Sequence, residues 1–140
     1  MKDSLQPGLT VEFKFKVPEN KTVPYLYPEF DEGKVMPKVF ATGFLLGLYE
    51  FSCIKMLNLH LDWPNEQTVG IGMNMTHTAA TPAGMTITVK GKLDKIEGRK
   101  LTFSLEAFDD AEKISQAIHE RFVINAEKFN AAIDKKMGGK

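Results

Sequence analysis

Along residues 10–17, TVEFKFKV, apolar and polar side chains alternate: Val11, Phe13, Phe15 and Val17 share one face, Glu12, Lys14 and Lys16 the other. A period of two predicts a strand buried on one side. Pro18, Pro24, Pro28 and Gly33 break the pattern over 18–34, which reads as a surface loop. From about 37 to 60 the chain is apolar on nearly every side, with VFATGFLLGLYEFSCIKML at its centre. The pattern predicts a long enclosed helix, with Pro37 in its first turn, where a missing N–H is no loss. Gly43 and Gly47 each cost a helix about 1 kcal/mol relative to Ala. Their spacing of four predicts compensation by close approach of another backbone.

The rest is mostly strand. Residues 68–77 place Val69, Ile71, Met73, Met75 and His77 on one face, opposite Thr68, Gly70, Gly72, Asn74 and Thr76. Residues 85–96 alternate, EGR turns, and 100–108 returns with Leu101, Phe103, Leu105 and Ala107 aligned. Residues 113–124 alternate less cleanly, setting Ile114, Ile118, Phe122 and Ile124 against Ser115, Ala117, His119, Arg121 and Val123. That reading puts His119 on the outer face. NAEKFNAAIDKK closes the chain as a short amphipathic helix. One strand, one long helix, then four strands predict an α+β fold, with a curved antiparallel sheet wrapped around the helix. One helix cannot cover a five-stranded sheet, so self-association is expected, and it would also shield edge strands.

Composition narrows the function classes. At 140 residues the chain suits one domain with one core. Lys+Arg and Asp+Glu both number 18, so no net field draws nucleic acid or an anionic membrane. Seven Met and ten Phe supply apolar volume for a core or a greasy pocket. The single cysteine, Cys53, excludes an internal disulfide and reads as buried packing. MKDSLQPGLT lacks the apolar core of a signal peptide, and no apolar run reaches membrane-spanning length without interruption. A cytoplasmic protein is expected.

Glu50 is the anomaly within the apolar helix. Leu46, Tyr49, Phe51, Ile54 and Leu57 surround it, and an ionised carboxylate there is costly unless paired or wetted. Either the helix turns Glu50 and Lys55 to solvent, or a backbone N–H holds the carboxylate, or Glu50 carries chemistry. His77, by strand parity, faces the helix and so Glu50; a carboxylate and an imidazole in one apolar pocket suit acid–base work. Thr42 lies eight residues before Glu50, about 12 Å along a helix axis, a gap that a partner subunit could close. Backbone N–H groups near Gly43, at the helix start, are candidate oxyanion donors. Glycine-rich phosphate loops, paired-His metal motifs and Cys clusters are missing from the sequence, so neither a metal nor a cofactor is expected.

Four stretches, NKTV to LYPE (20–29), VFATGFLLGLYE (39–50), THTAATPAGMTITV (76–89) and IHERFVINAEKFN (118–130), resemble the fluoroacetyl-CoA thioesterases and their wider thioesterase-like relatives. The resemblance runs from about residue 10 to 133. It implies a hotdog fold, a homodimer with active sites near the subunit interface, and hydrolysis of a short acyl-CoA to free acid and CoA. It implies Thr42, Glu50 and His77 as the catalytic set, Gly70 beside the acyl group, and Arg121 toward the coenzyme end. The chain departs from the family pattern before the helix. Gating phenylalanines there cover the acyl pocket, and the matching positions here are Gly33 and Met36, which alters the lid. Two other outcomes fit a hotdog domain: a non-catalytic acyl-CoA binder and, with less support, an enoyl-CoA hydratase.

Overall fold

The computed structural model describes residues 1–139. Five strands form one antiparallel sheet: β1 (Thr10–Lys16), β2 (Glu66–Met75), β3 (Thr86–Glu97), β4 (Lys100–Phe108) and β5 (Lys113–Asn125). Their spatial order is β1-β3-β4-β5-β2, so β1 and β2 are the edges. The alternation read from the sequence holds in β1, where Val11 is buried, as is Val17 just beyond its end, and in β4, where Leu101, Phe103, Leu105 and Ala107 all are. Fully burying each of the larger side chains contributes about 1.5–3 kcal/mol.

Helix α1 (Thr42–Leu57) lies against these side chains through Leu45, Leu48, Tyr49, Ser52, Cys53 and Leu57. Those positions repeat at three and four and make one stripe. The helix is therefore covered along one side and not all round. Phe51 is 62% exposed, and Phe44, Gly47 and Phe51 line a groove of about 320 Å³ between α1 and β1. Gly43 is filled by a side chain rather than a backbone, since an added Cβ would meet Leu26 Cδ1 at 2.9 Å. Among the described residues nothing comes within 4 Å of one at Gly47. Helix α2 (Ala126–Lys136) follows β5, capped by the Asn125 side chain, which accepts from Lys128 N–H at 3.0 Å.

The helix starts later than predicted. Pro37 lies outside it: Val39 N–H turns back onto the Pro37 carbonyl at 3.0 Å, and residues 39–41 are then extended and held from both sides. Phe40 N–H donates to the Thr81 carbonyl at 2.7 Å and Ala41 N–H to the Lys21 carbonyl at 3.2 Å. Phe40 also bridges Thr22, and Val39 bridges Pro82. The first residue free of this clamp is Thr42. At the far end a 3₁₀ turn, Asn58–His60, finishes the helix. The loop over 18–34 carries three more 3₁₀ turns, at Glu19–Lys21, Val23–Tyr25 and Asp31–Val35.

Two strands depart from simple alternation. In β2 the pairing with β5 shifts between Gly70 and Gly72. The extra residue, Ile71, bulges outward and is 52% exposed, while Met73 and Met75 pack on the core. One inserted residue exchanges the two faces, so Val69, Ile71 and Met73 do not share a side. In β5 Ile114 is buried as predicted, but from Ser115 onward the predicted faces are reversed. Ser115, Ala117, His119, Arg121 and Val123 are buried, whereas Ile118 and Phe122 are exposed. His119 is thus inside. A polar group on the inner surface outweighs the apolar pattern because each member finds a partner.

Candidate active site

His77 lies two residues beyond the end of β2, in a segment that still pairs with β5. Thr76 N–H donates to the Gln116 carbonyl at 3.0 Å, and Thr78 N–H to the Ile114 carbonyl at 2.8 Å. A buried chain pins the same segment to the helix: Tyr49 O–H donates to Ser115 Oγ at 2.7 Å, and Ser115 O–H donates to the Thr76 carbonyl at 2.7 Å. Beyond it, Thr81 is buried and donates to Asp109 Oδ2 at 2.8 Å. With the Thr81 carbonyl also holding Phe40, the loop after His77 and the start of α1 are locked together.

The result is a contact between Thr42 and His77, with Oγ1 and Nδ1 2.8 Å apart. Burial pushes the His77 pKa down, opposed by the Ala79 carbonyl, so the ring is neutral at neutral pH and free to accept a proton. Its Nε2 is buried and makes no hydrogen bond among the described residues. Val23, Val39, Ala79 and Ala80 surround the pair in a hollow of about 270 Å³. The amides of Thr42, Gly43 and Phe44 precede the first bond of the helix, Leu45 N–H to the Ala41 carbonyl at 2.9 Å. They form an unsatisfied N-terminal turn beside the hydroxyl.

Glu50 sits elsewhere in the same chain, two helical turns from Thr42. Its Oε2 accepts from Arg121 Nη1 at 2.9 Å; the Arg121 side chain is 2% exposed and that of Glu50 32%. The carboxylate is therefore ion-paired on one side and open on the other, not stranded in apolar surroundings. Arg121 also donates from Nε to Thr68 Oγ1 at 2.8 Å and from Nη2 to the Thr68 carbonyl at 2.9 Å. Gly70 is opposite Arg121 in the ladder, and a Cβ there would lie 2.5 Å from Glu50 Oε2. Its bare backbone makes room for the carboxylate.

Within one chain the structure joins Thr42 to His77, and Glu50 to Gly70 and Arg121. It does not bring His77 to Glu50. The bulge and the strand end carry His77 to the N-terminus of α1, and the imidazole linked to Glu50, through Arg121, is that of His119. Arg121 lies beneath the carboxylate rather than at an open surface. Met36 is 48% exposed and ends the turn at Asp31–Val35. Sequence reasoning passed over Thr68 and His119. The available signal was parity, because His119 and Arg121 are two apart and so share a strand face. Among the described residues, no cluster of three or more His, Cys, Asp or Glu is placed to hold a metal ion.

Residues 17–127 match the family described as fluoroacetyl-CoA-specific thioesterase, FlK. A fluoroacetyl-CoA thioesterase from Streptantibioticus cattleyicolor is 44% identical over 97% of both chains. The crystal structure of the fluoroacetyl-CoA thioesterase FlK superposes with a TM-score of 0.92 at 43% identity, covering 96% of this chain and 98% of that one. A thioesterase superfamily member of Thermus thermophilus, 22% identical with a TM-score of 0.84 over 97% of this chain and 96% of its own, shares the fold. With a helix held against one antiparallel sheet and similarity along almost its full length, the chain belongs to the fluoroacetyl-CoA-specific thioesterase family.

Proposed function

We propose that this protein hydrolyses a short-chain acyl-CoA thioester to the free acid and CoA, using Thr42, His77 and Glu50. The observation that carries the reading is the Thr42–His77 hydrogen bond in a small hollow at the N-terminus of α1. A neutral imidazole beside a hydroxyl is the arrangement of an activated nucleophile. His77 Nδ1 takes the hydroxyl proton as Thr42 Oγ1 adds to the thioester carbonyl. The free amides of Thr42, Gly43 and Phe44 hold the developing oxyanion. The proton then passes to the departing thiolate, leaving the acyl group on Thr42 Oγ1. Water attacks that ester as Glu50 takes its proton, the Oγ1–acyl bond breaks, and the proton returns to Thr42 as the acid leaves.

Since Glu50 is about 12 Å along the helix from Thr42, the Glu50 that completes each site comes from a second copy of the chain. The pairing proposed is a homodimer joined along the open edge of β2, the strand that carries Gly70. Among the described residues no helix is long and apolar enough to cross a membrane, and buried, unpaired Cys53 suits a reducing cytoplasm. The small side chains around Thr42 favour acetyl-sized groups. Gly33 and Met36 stand where the family pattern has covering phenylalanines, which supports turnover of plain and fluorinated short acyl groups alike.

Thiol release from a panel of short acyl-CoAs, with wild type and Glu50→Gln, tests the reading. Glutamine keeps an acceptor for Arg121 and removes the base. A loss in kcat of about 100-fold or more is expected. Equal rates would remove Glu50 from the mechanism, and no release by either protein would leave an acyl-CoA binder.

A further inference from the structure

His119, which the reaction as drawn does not use, lies beneath Glu50. It is 1% exposed, with Nδ1 2.8 Å from the Gly72 carbonyl oxygen and Nε2 3.0 Å from Arg121 Nη1. A carbonyl oxygen only accepts, so Nδ1 carries the ring proton and Nε2 offers a lone pair to the guanidinium. Both nitrogens are satisfied only in this neutral tautomer. Burial lowers the His119 pKa most; the Gly72 carbonyl raises it, Arg121 lowers it, and the carboxylates of Glu50 and Glu120 raise it, with the net direction down.

Four of the five guanidinium protons are directed by these contacts. Thr68 takes the proton of Nε and one of the two on Nη2, and the two protons of Nη1 are divided between Glu50 Oε2 at 2.9 Å and His119 Nε2 at 3.0 Å. We propose that His119 is a positioning residue for thioester hydrolysis. By accepting one Nη1 proton it fixes the plane of Arg121 and leaves a single hydrogen bond for Glu50. That bond goes to Oε2, and no hydrogen bond among the described residues engages Oε1, which stays available for the reacting water. Without the acceptor, Arg121 would offer both Nη1 protons to the carboxylate and draw it toward the sheet. The inference rests on the reading of Glu50 as catalytic.

The test uses the full chain with acetyl-CoA as the probe. His119→Leu is expected to lower kcat about 10- to 100-fold while KM stays within about threefold, the signature of lost transition-state stabilisation. His119→Gln, able to donate to Gly72 and accept from Arg121, should recover kcat to within about fivefold of wild type. In a Glu50→Gln background, His119→Leu should cost less than about twofold, because the two act as one unit. Wild-type kcat in His119→Leu, equal losses in the Leu and Gln variants, or an undiminished loss in the Glu50→Gln background overturns the proposal. Wild-type kcat in Glu50→Gln alone would instead bring down the reading of Glu50, and this inference with it. Nitrogen-15 spectra of the wild-type imidazole read the tautomer without any variant having to fold. A proton on Nδ1 supports the assignment, and one on Nε2 overturns it.

Discussion

A methyl group at position 70 would lie 2.5 Å from Glu50 Oε2 and 3.4 Å from Arg121 Nη1. Arg121 cannot retreat, being 2% exposed and bonded along its length, whereas the Glu50 side chain, 32% exposed, has room to move. Gly70→Ala should therefore push the carboxylate off its arginine. The expected result is a fall in kcat of about 10- to 100-fold, the scale of misplacing a reacting group by roughly 1 Å. Steady-state thiol release measures it, and an unchanged kcat would show that the Glu50–Arg121 pair is dispensable. At this scale the sequence was legible where a residue contradicted its surroundings. A carboxylate inside an apolar helix needed a partner, whereas Gly70 was marked only by the family resemblance. The identity of the partner was not legible, because Arg121 and His119 sit in a strand whose apolar residues pointed the other way.

Among the elements, period-two counting succeeded in β1 and β4 and failed in β2 and β5 for different reasons: in β5 partnered polar side chains take the inner face, and in β2 the ladder itself is irregular. Alternation locates the core only while the ladder is regular, and the step at Gly70/Gly72 reverses it within one strand. The predicted helix was right in place and wrong at its start, because bonds from Thr81 and Lys21 hold residues 40 and 41 extended against an apolar run that would otherwise continue as helix. These long-range bonds also set the distance from Thr42 to His77, which no local pattern encodes. The link from Tyr49 through Ser115 to the Thr76 carbonyl is testable in this respect. Burial pushes the Tyr49 hydroxyl up to about 12, so it remains a donor. Tyr49→Phe removes one buried hydrogen bond and should cost about 1 kcal/mol in denaturant unfolding. Ser115→Ala removes two, should cost roughly twice as much, and frees the segment that carries His77. If Ser115→Ala loses stability with kcat unchanged, that strand end does not position the imidazole.

For the whole molecule, the division of the site across one chain has a quantitative consequence. Thr42 and His77 stand at the N-terminus of α1, and Glu50 stands two turns along, above Arg121. If each working site takes its hydroxyl and imidazole from one copy and its carboxylate from the other, then Thr42→Ala and Glu50→Gln damage opposite halves. A mixed dimer of the two variants has one site carrying both lesions and one carrying neither. Random reassortment of equal amounts makes about half the dimers mixed, so activity should rise from near zero to about a quarter of the wild-type value. The measurement is thiol release after co-refolding or co-expression, compared with the same variants assayed separately. A site built within a single chain gives no recovery, since every copy then lacks either its hydroxyl or its carboxylate. Restoration on mixing therefore distinguishes an obligate shared site from two independent ones, and it does so without a variant at the interface.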